Sequence, residues 1–297
     1  MPLILDGKTL AQRIRADVAS NVAALKTQGI TPRLNVALAG EFAPSVIYVR
    51  SKENACKEAG ISTETARLPG TATQGEILRL IDDWNHNPSV HGILVQLPLP
   101  KHIDPEAIIT AVDPRKDVDG LNPVNLGRIL SSEPYFYPAT PSGILEILSH
   151  YGIMVSGRHV VIVGRGKLVG KPLANMLLQK KAGSNATVTV CHSSTPDIGR
   201  YTRQADIIVA AAGEANLIRA EMVKEGAVVI DAGSNRIETD ERQTTNDKRQ
   251  TKLVGDVDFA GVAPIASAIT PVPGGVGPMT VAMLLRNTVK AAKNTIM

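Results

Sequence analysis

Apolar positions recur at helical spacing from Thr9 to Lys26, with Leu10, Ile14, Val18, Val22 and Leu25 on one face. The run RLNVALAG follows and stops at Gly40, as a short buried strand would. Helical spacing returns over Val46 to Gly60. ISTETARL then reads as a strand, Gln74 to Trp84 as a helix, and VHGILVQLPLP as a strand stopped by prolines. Strands alternating with helices predict parallel pairing in an α/β unit.

The second half repeats the rhythm. SGRHVVIVGRG is a strand running into glycines, and Lys171 to Lys181 is helical after Pro172. ATVTVCHS, ADIIVAAAG and GAVVIDAG are three further short strands, so a nucleotide-type βαβ series begins near residue 141. NRIETDERQTTNDKRQTKLVGD is strongly polar and reads as a solvated loop or hairpin. A Pro/Gly loop then feeds a last helix, where Pro278 suits the first turn because its missing N–H is not needed there.

One position breaks the pattern. On the helix from Val46 to Gly60, the residues Tyr48, Val49, Ala55, Cys56 and Ala59 share an apolar arc, and Lys52 lies inside it, one turn from Tyr48. Snorkelling beside a core tyrosine is the common reason for such a lysine. Burying its charge without a partner is costly, which favours a functional reason. Tyr48 and Lys52 also have the Y-x-x-x-K spacing of short-chain dehydrogenases. In that family the pair follows the nucleotide fingerprint, whereas here it precedes it.

Composition narrows the class. With 43% hydrophobic and 3% aromatic residues, aliphatic side chains must fill the core. The net charge of +4 is spread along the chain, with no basic stripe interleaved with aromatics, so nucleic acid is not an expected partner. Two distant cysteines, Cys56 and Cys191, exclude a disulfide framework and a cysteine-rich metal site. No apolar run approaches a membrane span and the start does not read as a signal peptide, so a cytoplasmic setting is expected.

The clearest local motif is VVIVGRGKLVGKP. An apolar strand runs into Gly164, Gly166 and Gly170 and then a helix, which would let backbone approach phosphates at a helix N-terminus. The spacing is one residue longer than the usual dinucleotide fingerprint, and a ligand-free tight turn is the plain alternative. The next strand ends in Cys191, His192 and Ser193 rather than in the carboxylate that would bind NAD ribose hydroxyls. With Arg165 in the turn, this favours NADP over NAD. Gln96, near the end of an apolar strand, stands where ligands gather in open α/β sheets, although it would equally cap the sheet edge. Asp119, in the turn-forming run PRKDVDGLNP, is by itself more often structural.

Taken in order, YVRSK, VQLPLP, DVDG, TPSGI, VIVGRGKLVGKP, HSSTPD, VIDAGSN, VGDVDF and ITPVPGGVGPMT closely resemble the bifunctional methylenetetrahydrofolate dehydrogenase/methenyltetrahydrofolate cyclohydrolase family over nearly the whole chain. The resemblance implies a two-domain α/β enzyme of folate one-carbon metabolism, with a cleft between a folate-binding catalytic domain and a Rossmann-type domain. Residues 1–140, completed by the C-terminal helix 278–297, would bind folate, residues 141–269 would bind NADP, and 270–297 would supply the cleft loop and return helix. Lys52 would be the catalytic lysine, Tyr48 its partner against the folate, Gln96 its hydrogen-bonding glutamine and Asp119 the carboxylate on the pterin. Pro273, Gly274 and Gly275 would line the substrate site. Gly164, Arg165, Gly166, Ser193 and Ser234 would meet the cofactor, no metal being required, and the assembly would be a homodimer. Gly166 stands where serine is common, Leu121 and Asn122 where Phe and His are frequent, Ala139 where cysteine is common, and Ser234 where many members have isoleucine. A dehydrogenase without cyclohydrolase activity and a non-catalytic folate- or nucleotide-binding protein are the alternatives.

Overall fold

The computed structural model describes residues 1–242 and 249–295. It has two compact units, one of residues 11–139 with 281–297 and one of residues 1–10 with 140–280. In chain order the strands are β1 (Leu3–Ile4), β2 (Arg33–Ala39), β3 (Ser62–Leu68), β4 (Gly92–Val95), β5 (His159–Val163), β6 (Thr187–Cys191), β7 (Ile207–Ala210), β8 (Val228–Asp231), β9 (Asn235–Arg242), β10 (Arg249–Val254) and β11 (Ala268–Ile269). The helices are α1 (Gly7–Thr27), α2 (Ala43–Ala59), α3 (Gln74–His86), α4 (Pro105–Ala111), α5 (Pro123–Leu130), α6 (Ala139–His150), α7 (Gly170–Leu177), α8 (Gly199–Thr202), α9 (Phe259–Val262) and α10 (Val276–Asn294).

In the unit of residues 11–139, a three-stranded parallel sheet runs in the order β3-β2-β4, with Ala37 level with both Ala66 and Val95. β2 and β4 carry buried side chains almost throughout, as expected of strands covered on both faces. Helix α3 starts with a capping box, Thr73 and Glu76 each bonding the other's backbone N–H. Its apolar stripe of Ile77, Ile81 and Trp84 packs with Ile93, Val95 and Ile108. β4 is shorter than the sequence suggests, since it ends at Val95 and Gln96 begins the turn into the cis Leu97–Pro98 bond.

The other unit is built on a six-stranded parallel sheet in the order β1-β11-β8-β7-β5-β6. From β5 the chain moves to β6 on one side and returns to β7 on the other. The strand order therefore switches between the carboxyl ends of β5 and β7, the usual ligand position in such sheets. The first ten residues pack with this unit, Leu3 and Ile4 pairing with Ala268 and Ile269 of β11. The polar segment after Ser234 is a hairpin, β9 pairing antiparallel with β10. Residues 243–248 lie outside the described residues.

Candidate active site

Helix α2 brings Lys52 over the sheet. Pro44 sits in its first turn, and Gly60 ends it in the left-handed conformation, donating its N–H to Lys57. Ser45, Val49, Ala55, Cys56 and Ala59 form its buried stripe, and the half-buried Lys52 lies on the same side. Tyr48, expected in the apolar arc, is 43% exposed, alongside the exposed Phe42 and Ile47. Over the first half of α2 only the narrow stripe of Ser45 and Val49 is covered, and a ring at Tyr48 stands outside it.

The lysine meets the end of β4. Its Nζ donates to Gln96 Oε1 at 3.0 Å, while Gln96 Nε2 donates to the Leu97 carbonyl at 2.6 Å. Gln96 is only 9% exposed and its own N–H continues the ladder to Ala37 O. Both ends of the amide are thus committed, which fixes the carbonyl toward the lysine. Burial pushes the Lys52 ammonium below the ordinary lysine range, while the Asp119 charge and the nearby Cys56 pull it back up. Burial likewise raises the Asp119 carboxyl, and Lys52 lowers it. The thiol of Cys56, pushed up to about 12 chiefly by burial, stays protonated and serves as packing.

Asp119 owes its position to neighbours that sequence reasoning passed over. Asp117, 4% exposed, accepts from Leu121 N at 3.2 Å, Asn122 N at 2.8 Å and Asn125 Nδ2 at 2.9 Å. Lys116 Nζ donates to the carbonyls of Trp84, Asn85 and Asn87 at the end of α3. One aspartate of the D-V-D-G run is therefore consumed in building the turn. The other, Asp119, receives no side-chain hydrogen bond from the described residues and keeps its acceptor capacity for a ligand. Two acids in one short turn-forming run were the available signal, because a turn aspartate commonly spends its carboxylate on nearby backbone N–H groups.

The second cluster lies at the carboxyl ends of β5, β6, β7 and β8. Val163 is level with both Cys191 and Ala210, so Gly164, His192 and Ala211 start three adjacent loops. Gly164 has φ +124°, and a Cβ there would collide with the Ala211 carbonyl. A Cβ on Gly170 would strike the Gly164 carbonyl, so the start of α7 is packed on the turn. Arg165, Gly166, Ser193 and Ser234 are exposed on these loops. The residues fit a dinucleotide carrying a 2′-phosphate: the backbone is bare, a guanidinium is available and no carboxylate ends β6. Pro273, Gly274 and Gly275 follow β11 in this same unit, where the Gly274 carbonyl accepts from Lys8 N and a Cβ on Gly7 would strike Gly275. Among the described residues no group of three or more His, Cys, Asp or Glu is placed to hold a metal, and no helix is long and apolar enough to cross a membrane.

Comparison with known proteins agrees with this geometry. The family model described as tetrahydrofolate dehydrogenase/cyclohydrolase, catalytic domain, matches residues 5–119, and that described as tetrahydrofolate dehydrogenase/cyclohydrolase, NAD(P)-binding domain, matches residues 138–296. The bifunctional protein FolD of Chloroherpeton thalassium is 53% identical over 292 residues, covering 97% of this chain and 98% of that protein. The crystal structure of the bifunctional enzyme FolD from Campylobacter jejuni superimposes with a TM-score of 0.92 at 47% identity, covering 99% of this chain and 100% of that one. The methylenetetrahydrofolate dehydrogenase-cyclohydrolase of Trypanosoma brucei, complexed with NADP cofactor and inhibitor, gives a TM-score of 0.92 at 38% identity, covering 99% of this chain and 98% of that one.

Proposed function

The chain belongs to the tetrahydrofolate dehydrogenase/cyclohydrolase family, and from that membership we propose how its residues divide the work. It is a bifunctional enzyme that oxidises 5,10-methylenetetrahydrofolate with NADP and hydrolyses the 5,10-methenyl product to 10-formyltetrahydrofolate. NADP, when bound, supplies the acceptor for the hydride that leaves the bridge carbon.

Residues 11–139 with the C-terminal helix would hold the folate. The unoccupied acceptor of Asp119 suits the guanidine-like edge of the pterin, which offers parallel N–H donors as arginine does. The exposed ring of Tyr48 would flank the folate, and Pro273, Gly274 and Gly275 are further proposed contacts. In hydrolysis, water adds to the methenyl carbon and releases a proton to neutral Lys52. The bond from that carbon to N5 then breaks, its electron pair passing to N5, which takes a proton back from the lysine, while the hydroxyl on the carbon gives up its proton to solvent as the formyl C=O forms. Gln96 holds the Lys52 nitrogen in place through both states. Gly164, Arg165, Gly166, Ser193 and Ser234 would hold the cofactor, with Arg165 on the 2′-phosphate. A homodimer and a cytoplasmic location complete the proposal, and the mass in solution by light scattering tests the first.

One observation carries the reading: a lysine whose charge is disfavoured by burial, bonded to a fixed glutamine and beside an aspartate with free acceptors. The test is Lys52→Met. Hydrolysis of supplied methenyltetrahydrofolate should fall by about 10³-fold, within the usual span for a lost acid–base group. A folded variant that hydrolyses at the wild-type rate would remove Lys52 from the role.

A further inference from the structure

Two sequence motifs, VIDAGSN and VGDVDF, supply only Ser234 to the chemistry proposed above. Each contributes a buried carboxylate. Asp231 is 3% exposed at the end of β8, and Asp256 is fully buried after β10. Asp231 accepts from Gly233 N at 2.8 Å, Asp256 N at 3.0 Å and Val257 N at 3.0 Å. Asp256 Oδ2 accepts from Ala212 N at 2.6 Å and Gly213 N at 2.9 Å, and its Oδ1 accepts from Asn235 Nδ2 at 2.8 Å. A Cβ on Gly233 would strike the Asp256 carboxylate, and one on Gly255 would strike that of Asp231, so both glycines are needed for the close approach.

The direction of these bonds is informative. The Asp256 carboxylate bonds to no strand of the six-stranded sheet. The partners of its side chain lie at the carboxyl edge of that sheet, on the loop after β7 and at Asn235, the first residue of β9 and the neighbour of Ser234. The loop after β7 is also the surface against which Gly164 packs, through the Ala211 carbonyl. One buried carboxylate thus ties the floor of the glycine turn to the Ser234 segment. Apolar packing could not replace it, because the Ala212 and Gly213 N–H groups would be left without acceptors.

We infer that Asp256 is a positioning residue of the cofactor site, acting with Asn235 to fix the distance between the glycine turn and the Ser234 segment. The inference rests on the reading that NADP lies on these loops. In Asp256→Asn the charge leaves all three bonds, and Asn235 must turn its own oxygen inward to meet the new N–H₂. In Asn235→Asp two carboxylates face each other. In the double variant the new amide oxygen takes the Ala212 and Gly213 N–H groups, and its N–H₂ donates to the new carboxylate at 235.

The experiment measures KM and Kd for NADP, together with hydrolysis of methenyltetrahydrofolate without nucleotide, in the two single variants and the double. Each single variant should raise KM and Kd for NADP about tenfold, the size of one lost bond to a charged group, and the double should return close to wild type. Hydrolysis should stay at the wild-type rate in all three. Parallel loss of both activities with unchanged KM would mean that Asp256 only holds the fold, and a double variant no better than the worse single would break the pairing. Should Asp256→Asn not fold, Asn235→Ala at its half-buried position carries the same test, with a rise of about threefold expected and no rise overturning the inference. Arg165→Ala separates the two levels: weakened NADP there with unchanged NADP in Asp256→Asn sinks the inference alone, while no weakening in either removes the cofactor reading and the inference with it.

Discussion

The two halves of the chemistry are built from different materials. Around Lys52 the proposed working parts are side chains: an ammonium, an amide and a carboxylate, drawn from α2, the end of β4 and the D-V-D-G turn. Their surroundings press both charged groups toward neutrality, which suits a site that must move a proton. At the carboxyl edge of the six-stranded sheet the proposed working parts are backbone: bare glycines, aligned strand ends and loops fixed by buried carboxylates. That arrangement suits holding a large charged ligand still. The contrast predicts that single side-chain changes are severe at the first region and graded at the second.

The largest separation should come from Asp119→Ala. Losing two charge-assisted bonds to the pterin edge should lower kcat/KM for folate by about 10³-fold in both activities, with NADP affinity unchanged. Steady-state assays plus nucleotide titration check this, and unchanged folate affinity would count against the role of Asp119. Gln96→Ala comes next. Without its carbonyl the Lys52 nitrogen loses its anchor, so hydrolysis should drop about 10- to 100-fold with little change in folate KM. A pure KM effect would make Gln96 a binding residue instead.

The smallest effect concerns the scaffold beneath the cofactor loops. Burial, helped by the Asp256 charge, raises the Asp231 carboxyl to about 6 from an ordinary 3.8. A carboxyl raised in the folded state contributes stability that is complete below 3.8 and is lost as pH rises through about 6. Asp231→Asn does not titrate, so wild type should lose roughly 1 kcal/mol relative to it between pH 5 and pH 7.5 in urea unfolding. A wild-type advantage that grows with pH over that window would reverse the assignment.

Much of this was legible in the residues because the informative signals are local. Alternating apolar runs and glycines located β2 to β8, and a lysine in an apolar arc marked Lys52. Other features depend on partners far along the chain. β1 has two residues and no periodicity, and only its pairing with β11 reveals which unit it joins. The exposure of Tyr48 depends on how far the cover over α2 extends, which helical angles do not contain. Asp117 and Asp119 have the same chemistry and nearly the same neighbours in sequence, and only the hydrogen bonds show that one is used and the other available. The bonds from Asp256 to the loop after β7 join residues distant in sequence, so neither motif announces them.

The central claim is that burial makes Lys52 a lysine able to work in its neutral form, and a nitrogen NMR titration of its Nζ tests it most directly. The resonance can be assigned by its loss in Lys52→Met. The account predicts a midpoint below the ordinary 10.5, moving lower still when Asp119 is replaced by Asn, because that carboxylate favours the charged form. A midpoint at or above 10.5 in the wild-type enzyme would contradict it.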